Sequence, residues 1–215
     1  MAGTRLDGRV ERGNRTRQLV LRRTVDIASV EGLDALSVGR LATELQLSKS
    51  GVFALFGSKQ ELQLATVREA SRIYVEQVIR PAEETPPGLA RLWRLCELWL
   101  DYSQGRVFPG GCFFYGVIAE YDARSGPVHD AVVRAQRDWT AHVERTISEA
   151  RDDTRDLPAD TDVPQLAFEL IALMETANVV SVLHDEESAY RRARVAIVSR
   201  LRAAATDPSS LPQVP

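Results

Sequence analysis

Apolar residues recur at helical spacing along most of this 215-residue chain, and capping residues, glycines and prolines separate one apolar stretch from the next. Residues 37–61 are the most informative stretch. Its first short helix carries apolar residues at i, i+3, i+4 and i+7, namely Val38, Leu41, Ala42 and Leu45. Ser37 directly precedes this stripe and can cap the helix, so the pattern predicts a helix that begins there.

A tight turn and a second short helix follow the first. Gln46-Leu47 turn the chain, and Ser48 can cap a helix whose expected inward side chains are Val52, Phe53 and Phe56. Gly57 ends that helix, and Ser58 with Glu61 has the spacing of a capping box, which begins a third helix. Two short helices at a steep angle form a helix-turn-helix unit, whose second helix can enter the major groove of DNA. The alternative is an ordinary helix pair that does not contact DNA.

Charge is distributed unevenly between the two ends of the chain. Residues 1–60 contain ten Lys or Arg and six Asp or Glu, whereas the whole chain has a net charge of −3. A basic amino-terminal module on an acidic body favours phosphate binding, because Lys and Arg displace the counterions condensed on DNA. For the amino-terminal arm taken alone, a solvated charged face is the alternative.

Three sequence blocks occur in order after a helix that ends near Glu31-Gly32. They are Leu-Ser-Val-Gly-Arg-Leu-Ala, Leu-Ser-Lys-Ser-Gly-Val-Phe and Phe-Gly-Ser-Lys-Gln-Glu-Leu. With these blocks, the run from Thr16 to about Glu61 resembles the DNA-binding domain of TetR-type transcriptional regulators. The order of the blocks is far more specific than a helix-turn-helix pattern alone. Residues 106–114, Arg-Val-Phe-Pro-Gly-Gly-Cys-Phe-Phe, also resemble a loop in a subgroup of these regulators.

The resemblance implies an all-α protein of about nine helices. Residues 1–61 are expected to form a basic arm and a three-helix DNA-binding domain, residues 62–206 a ligand-binding and dimerisation domain, and residues 207–215 a disordered tail. The implied function is sequence-specific DNA binding by a homodimeric regulator, a repressor that a small-molecule ligand releases from its double-stranded operator. A cytoplasmic location follows.

The same resemblance implies which side chains contact DNA. The expected contacts are Ser37, Thr43, Ser48, Lys49, Ser50, Phe53 and Lys59. Lys49 and Ser50 are expected at base edges, and Ser37, Thr43 and Lys59 at phosphates. Phe53 stands where relatives carry a ring beside the backbone. An arginine arm is expected to reach the adjacent groove or phosphates, and it consists of Arg5, Arg9, Arg12 and Arg15.

Two positions depart from the family pattern. Many relatives carry Tyr or His just before the Phe-Gly-Ser-Lys block, where this chain has Ala54 and Leu55. These side chains donate no hydrogen bond, so the operator sequence cannot be predicted. Gln46 occupies a turn position where relatives often have Gly, and a positive φ there would carry a small strain.

Helical patterns continue to the end of the body. Helices are expected at 58–80, with Pro81 marking the weakening or the end, then from Leu89 until Pro109-Gly110-Gly111 interrupt the pattern, and at 112–122, 127–151, 163–184 and 187–204. No stretch alternates as a strand does.

The last two helices are the expected dimer interface. The apolar stripe of residues 163–183 is wider than one core contact needs, and small alanines on the last helix permit close helix approach. The interface residues inferred from this pattern are Leu170, Met174, Ala177, Ser181, Ala189, Ala193 and Ile197. The alternative is a helix that is simply central in its own domain. A two-fold dimer would place two recognition helices about 34–36 Å apart.

Aromatic residues concentrate between helices five and seven of the pattern, which suggests a cavity for a small, largely apolar ligand. The expected lining is Trp93, Cys96, Trp99, Phe113, Phe114, Val117, Tyr121, Trp139, His142, Met174 and Asn178. On the long helix after Pro127, a spacing of three to four residues gives one inward face, which consists of Val132, Ala135, Trp139 and His142. An ordinary aromatic core is the alternative for any single residue.

Composition narrows the remaining classes of function. No apolar run approaches a membrane span of about 20 residues, so no membrane partner is expected. Two distant cysteines and three scattered histidines indicate no metal site and no cofactor, and packing thiols are favoured over a regulatory disulfide. No pair of carboxylates and no nucleophile with a base can be picked out, so an enzyme is not expected. A small all-α enzyme and a helical adaptor that binds only protein are the rival classes.

Overall fold

The computed structural model describes residues 3–213, without the side chains of residues 3–10 and of Arg12. The α-helices are α1 (Gly3–Glu31), α2 (Val38–Glu44), α3 (Lys49–Phe56), α4 (Lys59–Tyr74), α5 (Arg80–Glu83), α6 (Leu89–Gln104), α7 (Phe113–Tyr121), α8 (Pro127–Ser148), α9 (Val163–His184) and α10 (Ser188–Ala204). No strand occurs within residues 3–213. The predicted all-α fold is confirmed.

Serine caps fix the starts of the three short amino-terminal elements, as predicted. The Ser37 hydroxyl accepts the Arg40 N–H at 3.2 Å, and the Ser48 hydroxyl accepts the Gly51 N–H at 3.0 Å. Ser58 accepts the Glu61 N–H at 3.1 Å. Each cap satisfies a backbone donor that the first turn of a helix otherwise leaves unpaired.

Pro81 was expected to mark the weakening or the end of the fourth helix, and the structure shows the weakening and not the end. A π turn, Val75–Ile79, joins α4 to α5, so one helix runs from Lys59 to Glu83 and includes the proline. The widened turn lies directly before Pro81. The missing proline N–H therefore falls where the α-helical hydrogen-bond ladder is already interrupted. Because α4 and α5 are continuous, the ten α segments within residues 3–213 form nine helices.

The tail also differs from the prediction of disorder. Pro208–Ser210 form a 3₁₀ turn, and the Leu211 side chain is 5% exposed. Arg202 donates to the Pro212 carbonyl at 3.2 Å, and the Thr206 N–H donates to the Asp156 carbonyl at 2.8 Å. These contacts hold residues 206–212 against the end of α10 and the loop before α9.

The body is layered around α9, which packs against α6, α8 and α10, while α1 packs against α4 and α7. The loop before α7 approaches α1 very closely. A Cβ added at Gly110 would lie 1.8 Å from the Ser29 carbonyl oxygen, so only glycine fits there. The Gly110 N–H donates to the Ser29 hydroxyl at 3.1 Å. The amino-terminal domain therefore rests directly on the body.

Candidate DNA interface and ligand cavity

The α2–α3 unit presents a polar outer face. All seven expected DNA-contact residues are exposed: Ser37, Thr43, Ser48, Lys49, Ser50, Phe53 and Lys59. Val52 and Phe56 are buried, as expected for inward residues. Phe53 was also expected to point inward, and that is wrong, because its side chain is 55% exposed on α3. The ring is therefore free to contact a partner.

Several of these polar groups already have intramolecular partners. The Lys59 ammonium donates to the Asp34 carbonyl at 2.7 Å, and the Thr43 hydroxyl donates to the Gly39 carbonyl at 3.1 Å. Among the described side chains, Lys49 forms no ion pair and no hydrogen bond. Lys49 is thus the cation on α3 that is available to a partner without breaking an existing contact.

The turn between α2 and α3 requires a left-handed residue. Gln46 has φ of 55°, and the next N–H, of Leu47, donates to the Ala42 carbonyl at 2.8 Å. This arrangement closes the end of α2 in the way that glycine usually does. Gln46 therefore carries the strain anticipated from the sequence, and the turn keeps its geometry despite the side chain.

An ion-pair chain on the outer side of α1 and α2 occupies other basic residues. Arg40 donates to Glu31 with two bonds of 2.7 Å and to Glu44 at 2.7 Å, and Arg23 donates to Glu44 at 2.6 Å. The hydrogen bond from Arg40 holds the pKa of Glu31 below its ordinary value. Hydrogen bonds from Arg23 and then Arg40 lower the pKa of Glu44. These arginines fix the angle between α1 and α2.

A carboxylate of the body caps the turn after α1. Glu120, near the end of α7, accepts the Leu33 N–H at 2.7 Å and the Asp34 N–H at 2.9 Å. A Cβ at Gly32 would lie 2.6 Å from the Glu120 carboxylate, so glycine is needed there for this approach. Arg124 donates to the Asp34 carboxylate, and this hydrogen bond keeps the pKa of Asp34 below its ordinary value.

The body contains a partly open cavity of about 280 Å³ between α4, α7, α8 and α9. Four of the predicted lining residues border it: Trp99, Phe114, Trp139 and His142. Ala135 joins them, so the inward face predicted for α8 is correct. Tyr115, a polar residue also expected to line a cavity, borders it as well, whereas sequence reasoning missed the contributions of Ser71, Tyr74, Val75, Ile79, Cys112, Ile118, Gln136, Asp138, Arg145 and Glu175. Glu175 was detectable, because it interrupts an otherwise apolar run of α9.

The other predicted lining residues lie outside this cavity, namely Trp93, Cys96, Phe113, Val117, Tyr121, Met174 and Asn178. All except Trp93 are buried, and they pack in the core or at the domain junction. Helical spacing placed them on inward faces correctly. It did not distinguish a face toward the core from a face toward a void.

Asn178 belongs to a buried polar network. Its side-chain oxygen accepts the Ser103 hydroxyl at 2.9 Å and the Cys112 N–H at 2.9 Å. Arg106 donates to the Ser181 hydroxyl at 2.9 Å and to the Tyr190 hydroxyl at 3.2 Å. The network ties the loop of residues 105–112 to α9 and α10. Asn178 and Ser181 therefore hold the body together and face neither the ligand nor a partner.

Three ionisable residues that border the cavity are desolvated, namely His142, Glu175 and Tyr74. Burial, followed by the Arg145 charge, lowers the pKa of His142. Burial raises the pKa of Glu175. The Tyr74 side chain is 7% exposed, and its hydroxyl has no hydrogen-bond partner within the described residues. The Tyr74 hydroxyl is thus an unsatisfied polar group within the wall of the cavity.

Both cysteines are buried and free. Burial raises the pKa of Cys96 to about 12 and that of Cys112 to about 11. Both side chains are therefore neutral thiols at pH 7, as expected for packing residues. Cys112 lines the cavity and Cys96 does not.

A largely apolar groove runs between α9 and α10 on the outside of the body. Three predicted interface residues line it: Ala177, Ala189 and Ala193. Leu170, Met174 and Ile197 are at most 1% exposed and face the core of their own chain, so their placement at a partner surface is wrong. The side chains that reach outward on α9 are Phe168 and Leu183, which are 70% and 71% exposed.

Helix α9 also contradicts the expectation that no segment resembles a membrane span. By length and composition Val163–His184 is apolar enough to cross a bilayer, and 39% of its most apolar stretch of 18 residues is buried inside the protein. A core helix passes the same test. Because α9 packs against three helices of the body, we interpret its apolar character as packing surface.

Comparisons with known proteins agree with this architecture. The family described as "Tetracyclin repressor-like, C-terminal domain" matches residues 88–197, just over half of the chain. No curated protein is significantly similar to the sequence.

Solved structures share the complete fold. A TetR transcriptional regulator from Chloroflexus aurantiacus J-10-FL gives a TM-score of 0.83 at 18% identity, covering 91% of this chain and 98% of that chain. A regulator from Saccharomonospora viridis in complex with choline gives 0.75 at 17% identity, covering 90% and 99%. AibR, in complex with isovaleryl coenzyme A and operator DNA, gives 0.66 at 12% identity, covering 87% and 97%. With its carboxy-terminal domain matched by the family and a helix-turn-helix unit at its amino-terminal end, this chain belongs to the TetR family of DNA-binding transcriptional regulators.

Proposed function

We propose that this protein is a homodimeric repressor that binds an operator through α2 and α3 and leaves it when a small, largely apolar ligand fills the cavity. The observation that carries the proposal is the position of α7. Phe114, Tyr115 and Ile118 on this helix border the cavity. Glu120, on the same short helix, caps the turn that leads into α2.

The DNA side of the proposal rests on the exposed face of α3. Lys49 and Ser50 lie at its amino-terminal end, where recognition helices present side chains to base edges. Ser37, Thr43 and Lys59 are assigned to phosphates. The Lys59 ammonium has three donors, so it can keep its bond to the Asp34 carbonyl and still contact an oxygen of the backbone.

Dimerisation is proposed at the groove between α9 and α10. Phe168 and Leu183 expose apolar surface that a second copy would cover. Ala193 and Ala196 in the groove permit close approach of a partner helix. A two-fold arrangement would then present two α3 helices at a spacing of about 34–36 Å, which matches successive major grooves.

The ligand side rests on the cavity and on related regulators. Structures of the same fold contain isovaleryl coenzyme A in AibR and choline in the regulator from Saccharomonospora viridis. In this chain, a ligand that separates α7 from α8 would displace Glu120 relative to Leu33 and Asp34. Such a ligand would favour a dimer geometry in which the two recognition helices no longer fit both half-sites. The protein performs no chemical step in this role, which it carries out in the cytoplasm.

Binding to duplex DNA at several salt concentrations tests the proposal. We expect log affinity to fall steeply with log salt, because several Lys and Arg contacts release counterions. A selected operator should then be released by small molecules that bind the cavity. Affinity for random duplex that does not depend on salt would contradict DNA binding and favour a protein-binding adaptor or an enzyme that uses the same cavity.

A further inference from the structure

We infer that the cavity between α4, α7, α8 and α9 takes a small organic cation, an ammonium group carried on an apolar body. The inference rests on the proposed ligand-binding function and narrows it to one chemical class. It can be tested on the free protein, because it concerns ligand binding and not the response of the DNA-binding domain.

Glu175 supplies the first argument. It is the ionisable residue that α9 directs to the cavity, and no described side chain forms an ion pair or a hydrogen bond with its carboxylate. A partly buried carboxylate without a partner is unfavourable, and a bound cation would remove that cost. Its raised pKa has the same cause, since burial is the origin of the shift.

The other charges of the cavity do not satisfy Glu175. Asp138 and Arg145 also border it, but both side chains are exposed and carry opposite charges at the rim. Arg145 donates to the His142 ring at 3.0 Å, so that ring nitrogen accepts and His142 is neutral. The inner wall therefore carries a single uncompensated negative charge, which favours a cation and disfavours an anion.

The ring geometry supplies the second argument. The Tyr74 ring lies 5.4 Å from Trp139, with the planes at 85°, and 6.0 Å from Phe114, with the planes at 86°. The three rings meet edge to face, and all three border the cavity. Aromatic faces attract cations through their quadrupoles, and the attraction is strongest where water is excluded.

The choice between a charged and an uncharged ligand follows from Glu175. An uncharged apolar ligand would leave its carboxylate without a partner, whereas a cation would pair with it.

Calorimetric titration of the full chain tests the inference, with tetramethylammonium, tetraethylammonium and benzyltrimethylammonium as probes of increasing size. Neopentylbenzene, the uncharged carbon isostere of the last probe, controls for shape. We expect at least one cation to bind, and benzyltrimethylammonium to bind about tenfold or more tightly than neopentylbenzene. Glu175→Gln should abolish that preference while retaining the affinity for neopentylbenzene, which also shows that the variant is folded.

Asp138→Asn is the matched control, because it removes a carboxylate from the rim of the same cavity. We expect it to keep the preference for the cation. Failure of all three cations to bind, equal affinity of the charged and uncharged isosteres, or an unchanged preference in Glu175→Gln would each overturn the inference. Salt-dependent DNA binding is measured in a separate experiment, so the result for the organic cation does not decide whether the protein is a DNA-binding regulator.

Discussion

The Glu120 carboxylate accepts the backbone N–H of Leu33 at 2.7 Å, although 87 positions separate the two residues in the chain. The same carboxylate accepts the Asp34 N–H at 2.9 Å. A side chain of the carboxy-terminal body thus performs the task that a local serine performs for α2, α3 and α4. The start of the DNA-binding unit is therefore stable only when α7 is in place.

Glu120→Gln tests this coupling. The amide presents one accepting oxygen, so one of the two N–H groups loses its partner, and hydrogen bonds to charged groups contribute about 1.5–3 kcal/mol. We expect weaker operator binding and a smaller effect of ligand on DNA affinity, with ligand affinity itself preserved. Glu97→Gln, which alters a half-buried i,i+3 pair with Arg94 on α6, is the control. If the ligand lowers the DNA affinity of Glu120→Gln as much as that of the wild type, this contact does not link the cavity to the DNA-binding unit.

Lys49→Ala and Lys59→Ala separate base reading from phosphate contact. Loss of Lys49 should cost about 1–3 kcal/mol on the operator and relax the preference at one position. Loss of Lys59 should weaken binding to all sequences alike and reduce the salt slope by about one unit. Binding to a randomised duplex library distinguishes the two variants. Identical discrimination profiles would show that these roles are wrongly assigned.

Phe168→Asp should convert the proposed dimer into a folded monomer with weak operator binding. The carboxylate would be desolvated against the partner at a side chain that is 70% exposed in one chain. Val30→Asp is the matched control, since Val30 is 63% exposed on α1 and lies outside the groove. Sedimentation gives the oligomeric state. Ala193→Glu should act like Phe168→Asp, and an unchanged dimer in both variants would place the interface elsewhere.

Glu175→Gln should stabilise the ligand-free protein at neutral pH. The pKa of Glu175 is raised in the folded chain, so its contribution to stability is present below the unfolded pKa and is lost as pH rises through the folded pKa. The groups that share its cavity are Tyr74, Cys112, Asp138, His142 and Arg145. Urea unfolding at several pH values should show that the free energy of unfolding of the variant rises relative to that of the wild type as pH increases. A constant difference would contradict the desolvation of this carboxylate.

Trp139→Ala should enlarge the cavity and alter the response to ligand while leaving DNA binding intact. Trp139 is partly buried, so the loss of stability should fall below the roughly 3–5 kcal/mol typical of a fully packed ring. Trp93→Ala, on α6 and outside the cavity, is the control. Operator release measured against ligand concentration gives the response. A wild-type response in stable Trp139→Ala would mean that the ring serves only as core.

The starts of the short helices could be predicted closely from capping residues. Ser37, Ser48 and Ser58 each bond to a backbone N–H only three residues away, so the local sequence contains the whole interaction. At Pro81 the sequence did not show whether the helix weakens or ends. The helix continues there because the hydrogen-bond pattern already widens to a π turn before the proline. A change of register depends on packing over the whole helix, and the local pattern carries no sign of it.

The cavity was harder to predict than the fold. Apolar spacing identified inward faces, and Trp139 and Phe114 do border the void, whereas Phe113 and Val117 on equally apolar stretches fill the core. Which face meets a void depends on how distant helices diverge. The clearest signal available in the sequence was Glu175, since a charge within an apolar helix needs a specific reason to be there.

The π turn at Val75–Ile79 sets the rotational phase between the two ends of one long helix. Each α-helical residue advances the helix by about 100°, so deleting one residue from the widened turn would rotate residues 59–74 by that angle relative to residues 80–83. Ser71 and Tyr74 would then turn away from the void that Ile79 still faces. The extra residue of the π turn thus determines which side chains of this helix line the cavity. Chains of this fold whose turn is one residue shorter would have different residues in the cavity wall.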